Sequence, residues 1–288
     1  MREISVLLSV NNAEEYIVES IESVLKQSFS DFELIIVNFC SIEAIKPATV
    51  SFFADERIRL IDYCNLDRFE LLNLGIKAST GKYLVIMDTG SIMHVDMLKI
   101  YYSIMEEHLD ITICGSWETV FGNRTPKRII EKKVAGWVDM PLIQLLLDDS
   151  LVCSAYMVRK SLIDENHLQF RNCDYAEDYK FWVDTALLNG GFYLDSQPLV
   201  YKRFVDTDVS GARRLEKLQS ISQIKSKIIP FLCNKHHEKY PALQNLYNAC
   251  MELSTQKIIS EEDIYLLFNS LFMVNKDIFN SPYNNQTI

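Results

Sequence analysis

Acidic residues at two places in the sequence could take part in chemistry. Asp88 follows the apolar run 83–87, and Glu177 and Asp178 stand side by side where a helical pattern begins. A carboxylate can bind a cation or take a proton from a hydroxyl group. Each place also has a structural explanation, because Asp88 suits a turn after a strand and acids in the first turn of a helix favour its dipole. Their role therefore depends on the elements that position them.

The first half of the chain alternates between strand-like and helix-like segments. Four apolar runs have the length of a strand: 4–10, 32–37, 57–61 and 83–87. Apolar residues recur at helical spacing from Ile17, and a further helix is predicted from Arg68 to Ala78. This alternation predicts a parallel sheet with right-handed crossovers. Ligands bind outside the carboxyl ends of such strands, so we expect three stretches to line one cleft: 9–12, 38–41 and 88–91.

The second half of the chain has a looser pattern. A strand is predicted at 111–115, after which 117–138 is polar and mixed, as expected of a region that receives a second substrate. A helix at 174–187 and a β segment at 192–204 follow, and the pattern is helical beyond Gly211.

Several stretches occur in an order and spacing that are specific when taken together. They are Ile-Ser-Val-Leu-Leu-Ser-Val-Asn-Asn (4–12), Ser-Val-Leu-Lys-Gln (23–27), Phe-Glu-Leu-Ile-Ile-Val (32–37), Asn-Leu-Gly-Ile-Lys-Ala (73–78) with Gly-Lys-Tyr (81–83), Met-Asp (87–88) and Glu-Asp-Tyr-Lys-Phe-Trp (177–182). Over residues 3–211 the chain thereby resembles the family 2 glycosyltransferases, inverting enzymes of bacterial polysaccharide assembly that use nucleotide-sugars. The resemblance implies the GT-A fold, an α/β architecture with a mostly parallel central sheet flanked by helices, here with a helical C-terminal extension.

The resemblance implies a nucleotide-sugar site formed by six residues: Ser9, Val10, Asn11, Asn38, Asp88 and Gly90. The aromatic residue that helps such enzymes hold the base is replaced by Asn11, and the first acidic residue after the second strand is replaced by Asn38. An amide has both donor and acceptor atoms and can still bind the edge of uracil. A polar residue at a strand end also needs no ligand to explain it, so both explanations of Asn38 stand.

The resemblance also implies a divalent cation, Mg²⁺ or Mn²⁺, at the donor diphosphate. The Asp-x-Asp motif of the family corresponds to Asp88-Thr89-Gly90, and its late histidine corresponds to Val205, so two ligands are missing and Asp88 is the predicted metal ligand. One carboxylate can hold such an ion together with substrate phosphates. Without a metal, a cationic side chain must stabilise the leaving group, and four are candidates by position: Lys202, Arg203, Arg213 and Arg214.

The pair Glu177-Asp178 corresponds to the Glu-Asp pair of the family. The resemblance implies that Asp178 is the general base that takes the proton of the acceptor hydroxyl, while Glu177 orients Asp178 or raises its pKa by like charge. Trp117 and Trp137 lie in the loose region and are candidates for stacking on acceptor sugars. Trp182 is at helical spacing from Asp178 and is predicted to pack in the core.

Composition excludes some partners and suggests a location. The net charge of −10 carries no basic stripe, so a nucleic-acid partner is not expected. Seven scattered cysteines without a C-x-x-C pair fit reduced thiols in a cytoplasm. The apolar start is too short for a signal peptide, and no apolar stretch approaches the ~20 residues of a membrane helix. We expect a cytoplasmic protein, with residues 212–288 available for contact with a partner or with the inner membrane face.

These expectations define three segments and two functions. Residues 1–115 are predicted to be the nucleotide-sugar-binding half, 116–211 the acceptor-binding half of the same GT-A domain, and 212–288 the helical extension. The first function is transfer of a sugar from a nucleotide-sugar to a glycan or lipid-linked acceptor. The alternative is a catalytically silent relative that binds a glycan or a partner, which the changes at Asn11, Asn38, Gly90 and Val205 would fit. A nicotinamide enzyme is disfavoured, because no G-x-G-x-x-G follows the first strand.

Overall fold

The computed structural model describes most of the chain. The described residues are 2–10, 16–38, 49–63, 66–122, 126–130, 134–138, 141–147, 151–204, 211–235, 238 and 241–274. The strands in these ranges are β1 (Ile4–Val10), β2 (Phe32–Asn38), β3 (Ile58–Asp62), β4 (Tyr83–Asp88), β5 (Ser91–Met93), β6 (Ile111–Phe121), β7 (Arg128–Ile130), β8 (Gly136–Trp137), β9 (Ala155–Arg159) and β10 (Gly191–Arg203).

The helices lie between these strands and at the end of the chain. They are α1 (Ile17–Leu25), α2 (Arg68–Ala78), α3 (Met97–Glu107), α4 (Pro141–Leu147), α5 (Lys160–Asn166), α6 (Glu177–Leu187), α7 (Gly211–Lys235), α8 (Pro241–Thr255) and α9 (Glu261–Val274). A short 3₁₀ helix, Val50–Ala54, precedes β3. The helix predicted from Arg68 is confirmed with the same bounds, and the helices beyond Gly211 confirm the C-terminal extension.

The strands form one mixed sheet in the order β3-β2-β1-β4-β9-β6-β10-β5, with β7 beside β6 and β8 beside β10. The predicted parallel arrangement is found in β3-β2-β1-β4, where each strand runs parallel to its neighbour. Beyond β4 the sheet mixes directions, since β9 is antiparallel to both β4 and β6, while β10 is parallel to β6. The sheet is therefore a parallel half joined to a mixed half through β9.

Two hydrophobic layers cover the sheet. Alternate side chains of a strand point to opposite faces, so Val6 and Leu8 pack with α1 and α3, whereas Leu7 lies in the layer of α2, α4 and α6. The C-terminal helices add to the second layer: α7 and α9 contact α4, and α7 also contacts α6. Trp182 is fully buried in this layer, which confirms its predicted place in the core.

Two element boundaries differ from the prediction. The pattern was expected to loosen after 115, but β6 continues to Phe121, because its polar residues are paired on both sides and Glu118 accepts a hydrogen bond from the Ser154 backbone N–H at 2.7 Å. The helix expected from 174 begins at Glu177. Asp174 and Tyr175 have left-handed φ values of 38° and 69°, which a continuous helix does not allow.

A buried carboxylate links the amino-terminal ends of the central strands, at the end of the sheet opposite the predicted cleft. Glu33 Oε1 accepts hydrogen bonds from Ser5 Oγ at 2.7 Å, from the Thr80 backbone N–H at 2.7 Å and from Thr80 Oγ1 at 2.8 Å. Gly81 comes so close to β1 that a Cβ there would lie 2.5 Å from the Ser5 backbone nitrogen. These contacts hold the start of β4 against β1 and β2.

Replacement of Glu33 by alanine tests this arrangement. Burial raises the pKa of Glu33, but its hydrogen bonds with Ser5, Thr80 and Arg59 outweigh burial and the pKa is lowered. Its stabilisation is thus present above the pKa of the unfolded carboxyl group and is lost as the pH falls through the lower folded value. We expect Glu33→Ala to lower the free energy of unfolding by about 2–4 kcal/mol at neutral pH, and by less in acid.

Urea unfolding at several pH values measures this effect. Glu22 of α1, which makes an exposed ion pair with Lys26 just after that helix, provides the control. Glu22→Ala should change the free energy of unfolding by about 0.5 kcal/mol or less. An equal loss in both variants would contradict the role given to Glu33.

Candidate active site

The ends of β1 and β4 meet, as expected of neighbouring parallel strands. Ser9 Oγ donates a hydrogen bond to Asp88 Oδ1 at 3.3 Å. The backbone carbonyl of Ser9 accepts from the Thr89 backbone N–H at 3.1 Å and from Thr89 Oγ1 at 2.8 Å. About half of the Asp88 side chain is exposed, so this carboxylate is open to solvent at the ends of the two strands.

Four further residues were predicted to bind the nucleotide, and their surroundings differ. Asn38 ends β2 and is fully buried, with Nδ2 donating to Asp62 Oδ1 at 3.0 Å at the end of the neighbouring strand. Val10 is also buried, and its side chain packs in the layer of α1, so that side chain is not available to a ligand. Asn11 lies outside the described residues.

Gly90 forms the turn that follows Asp88. Its φ of +89° lies in the left-handed region, which favours glycine. Its backbone N–H donates to Ser20 Oγ at 3.1 Å, and its carbonyl accepts from the Arg203 backbone N–H at 3.2 Å. The turn therefore joins β4 to α1 and to the end of β10.

A guanidinium group lies among the three predicted acidic residues. Arg68 Nη2 donates to Asp88 Oδ1 at 2.7 Å and to Asp178 Oδ2 at 3.3 Å, and Arg68 Nη1 lies 3.6 Å from Glu177 Oε2. Burial lowers the pKa of Arg68, but the attraction of Asp88, Asp178 and Glu177 outweighs burial and raises it. Arg68 thus carries a permanent positive charge that links the strand end to the start of α6.

Asp178 is held at both carboxylate oxygens. Its Oδ1 accepts a hydrogen bond from the Tyr156 hydroxyl at 3.1 Å, while its Oδ2 accepts from Arg68. Burial raises the pKa of Asp178, the charge of Arg68 opposes that rise, and the like charge of Asp88 adds to it. A raised pKa brings a carboxylate nearer to the range in which it accepts a proton efficiently at neutral pH.

Sequence reasoning did not select Arg68 or Tyr156. Arg68 is the first residue of α2, where the helix dipole disfavours a cation, and this misplaced charge was the available signal that acidic partners lie nearby. Tyr156 lies opposite Ile86 in the apolar strand β9, where a buried hydroxyl group requires a partner. Neither signal identifies the partner residue. Arg68 and Asp178, for example, are 110 residues apart in the chain.

Of the cations proposed from position alone, Lys202 and Arg203 have described side chains. Arg203 forms an ion pair with Glu19, and its guanidinium carbon lies 4.4 Å from the ring centroid of Tyr16 and 4.5 Å from that of Phe121. Lys202 precedes it in β10 and pairs with Ser91 of β5. The side chains of Arg213 and Arg214 are outside the described set, as is Val205. Among the described cations, the one bound to Asp88 is Arg68.

The two tryptophans of the loose region do not share one place. Trp117 Nε1 donates to the Val134 carbonyl at 3.4 Å. Trp137 is 41% exposed and contacts His108 and Tyr193 at the start of β10. Tyr193, the partner of Trp137, lies ten residues before Arg203, which lies beside Gly90, so the two positions are separated by up to about 33 Å at ~3.3 Å per residue. Trp137 therefore lies toward the opposite end of β10 from the Gly90 turn.

Comparison with known proteins identifies the family. Residues 5–166, more than half of the chain, match the sequence profile described as Glycosyl transferase family 2. The chain belongs to glycosyltransferase family 2. An uncharacterized glycosyltransferase of Haemophilus influenzae is 28% identical over 243 residues, which are 81% of this chain and 75% of that protein. Three uncharacterized glycosyltransferases of Rickettsia species also match, and this chain spans 30%, 15% and 30% of their lengths.

Solved structures of low sequence identity share the fold. Residues 1–349 of Staphylococcus aureus TarS in complex with UDP-GlcNAc superpose with a TM-score of 0.61 at 18% identity, over 82% of this chain and 73% of that one. Glucosyl-3-phosphoglycerate synthase of Mycobacterium tuberculosis, in complex with Mn²⁺, UDP and glucosyl-3-phosphoglycerate, has a TM-score of 0.56 at 18% identity, over 77% and 80%. The predicted GT-A glycosyltransferase fold is thus confirmed. Among the described helices, none is long and apolar enough for a membrane span.

The described residues do not fit a divalent cation of the kind that the mycobacterial structure contains. Asp88 Oδ1 already accepts from Ser9 and Arg68, and Gly90 supplies no second carboxylate. Within the described ranges, no three Asp, Glu, His or Cys side chains are grouped so that they could hold a metal ion. The acidic residues are instead arranged around a guanidinium.

Replacement of Tyr156 by phenylalanine tests the electrostatics of this cluster. The hydroxyl group donates to the ionised form of Asp178, so its removal should raise the pKa of Asp178 further. The pKa can be followed by carbon NMR of the carboxyl group, assigned by its loss in Asp178→Asn. Tyr101, whose hydroxyl bonds to Ser116, is the matched control, and Tyr101→Phe should leave the pKa of Asp178 unchanged. An unchanged or lower pKa of Asp178 in Tyr156→Phe would contradict the assigned hydrogen bond.

Proposed function

We propose that the protein transfers a sugar, with inversion, from a nucleotide-sugar to a hydroxyl group of a glycan or lipid-linked acceptor. The observation that carries this proposal is the position of Asp178. Its carboxylate bonds to the same guanidinium nitrogen as Asp88, which ends β4 at the predicted donor site. Transfer between two bound substrates needs a base beside the acceptor hydroxyl and within reach of the donor site, and the position of Asp178 supports this role.

In the proposed reaction, the acceptor oxygen attacks the anomeric carbon from the face opposite the diphosphate. The carbon–oxygen bond to the diphosphate breaks as the new glycosidic bond forms, and Asp178 takes the proton of the acceptor hydroxyl. A single displacement of this kind inverts the configuration at the anomeric carbon. Tyr156 and Arg68 hold the two oxygens of Asp178, which limits the orientations that the base can adopt.

For the donor, we propose a UDP-sugar as the first compound to test. TarS is described with UDP-GlcNAc and the mycobacterial synthase with UDP. At the ends of β2 and β3, where the family contacts the base, Asn38 is buried and bonded to Asp62, so the partly exposed carboxylate of Asp62 is the side chain proposed to meet the base there. Donor binding would then fall in residues 1–115 and acceptor binding in 116–211.

The proposed reaction does not depend on the divalent cation that related enzymes contain. Asp88 remains the predicted ligand if Mg²⁺ or Mn²⁺ binds together with the donor phosphates. The described side chains around Asp88 favour Arg68 as the partner of the diphosphate, since the Arg68 guanidinium already bonds to one oxygen of Asp88.

The silent alternative is less favoured. A catalytically silent relative is expected to have lost its base, yet Asp178 is present, partly buried and bonded at both oxygens. The extension 212–288 remains a predicted contact with a partner or a membrane surface. Its exposed apolar side chains include Leu215, Leu218 and Ile258, which are 56%, 53% and 62% exposed.

The Asp178→Asn variant tests the proposed base. We expect kcat to fall by about 10²–10⁴-fold, because the amide cannot take the proton, while the Kd for UDP stays within about threefold. Release of nucleoside diphosphate from UDP- and GDP-sugars measures turnover with glycan or lipid-linked acceptors. Proton NMR of the product determines whether the anomeric configuration is inverted.

Asp184 provides the control in the same helix. It pairs with Lys180 and makes no contact with Arg68 among the described interactions. Asp184→Asn should keep kcat within about twofold of the wild-type value. If Asp178→Asn turned over as fast as the wild type, or if the product retained the donor configuration, Asp178 would not be the base of an inverting transfer.

A further inference from the structure

We propose that Arg68 binds the diphosphate of the donor, in the place that a divalent cation takes in metal-dependent relatives, so that donor binding needs no metal. This inference rests on the proposed function, since it concerns the same donor site. Its basis is the contact between Arg68 Nη2 and Asp88 Oδ1 at 2.7 Å. Asp88 is the carboxylate that corresponds to the metal-binding motif of the family, so a fixed cation occupies the carboxylate that a metal ion would use.

The guanidinium keeps hydrogen-bond donors for a ligand. Arginine has five N–H groups, and the hydrogen bonds found for Arg68 in the described part of the chain use Nη2 alone. Glu177 Oε2 lies 3.6 Å from Nη1, beyond hydrogen-bond distance. The N–H groups of Nη1 and Nε can therefore pair with two phosphate oxygens, a geometry that guanidinium groups favour.

Arg68 is also firmly held in this place. Its side chain is 17% exposed, and its partners come from separate elements: Asp88 from β4 and the Glu177-Asp178 pair from α6. Because arginine does not lose its proton in proteins, the charge is present at every pH of interest. Preorganised N–H donors at the point where negative charge develops on the leaving group stabilise the transition state without rearrangement.

The charge balance of the cluster defines the competing outcome. Three carboxylates surround one guanidinium, so the cluster is net negative when all of them are ionised. A soluble divalent cation would be attracted to such a cluster. The experiment must therefore separate binding of the diphosphate by Arg68 from binding through an added metal ion.

Calorimetric titration with UDP and GDP makes this separation. The purified full chain is titrated in EDTA and in Mn²⁺, as wild type, Arg68→Met, Arg68→Lys and Arg2→Met. Arg2 is an exposed arginine that pairs with Asp31 at the opposite edge of the sheet. Thermal unfolding of each variant establishes that the chain is folded before titration.

We expect wild type and Arg2→Met to bind one nucleotide with a Kd that differs by less than about twofold between EDTA and Mn²⁺. Arg68→Met should weaken binding in EDTA by about tenfold or more, the size of a lost charged hydrogen bond, and Mn²⁺ should restore part of it through the freed carboxylates. Arg68→Lys should be intermediate, because a lysine keeps the charge but not the paired donors.

Two kinds of result would overturn the inference. They differ in whether the proposed transferase function would also be contradicted. Wild-type binding that requires Mn²⁺, or undiminished binding by folded Arg68→Met in EDTA, would remove the role of Arg68 and leave the proposed transferase intact. No binding of either nucleotide under either condition would remove the donor site, and with it both proposals.

Discussion

The parallel pairing of β1 between β2 and β4 is the constraint on which the site depends. All seven residues of Ile4–Val10 are buried, so the strand has neighbours on both edges and helices on both faces. A strand in that environment has no freedom to slide, because a shift by one residue would turn Leu7 and Leu8 toward the wrong layers. The ends of β1 and β4 are thereby fixed together, and the contact between Ser9 and Asp88 follows from the register Ser9↔Asp88.

The second half of the sheet brings the other carboxylates to this point. β9 runs antiparallel beside β4 and places Tyr156 opposite Ile86, with its hydroxyl group on Asp178. Left-handed backbone at Asp174 and Tyr175 ends the preceding loop, so that α6 begins with its acidic pair in the first turn. The helix dipole stabilises negative charge there, which helps to keep two adjacent acids in a partly buried position.

The charged side chains around Arg68 depend on one another for compensation of their charges. The partly buried guanidinium of Arg68 is tolerated because carboxylates surround it, and the partly buried carboxylate of Asp178 because it has donors at both oxygens. Removal of one member leaves the others without compensation, so effects on stability and on chemistry will be coupled in this part of the molecule. The Glu33 network at the opposite edge uses the same principle for stability alone: its partners are Ser5, Thr80 and Arg59, and it lies away from the cleft.

The sequence by itself determined the local elements and the position of the acidic residues at their ends. The strand at Ile4–Val10, the helix Arg68–Ala78 and the placement of Asp88 after β4 follow from hydrophobic patterning, which is a property of neighbouring residues. The tertiary structure alone decided which side chains meet. Arg68 contacts Asp88 across 20 residues and Asp178 across 110, while Trp137 is held at the far end of β10. Such contacts depend on the order of strands in the sheet, and that order is set by packing between distant segments rather than by any pattern within one of them.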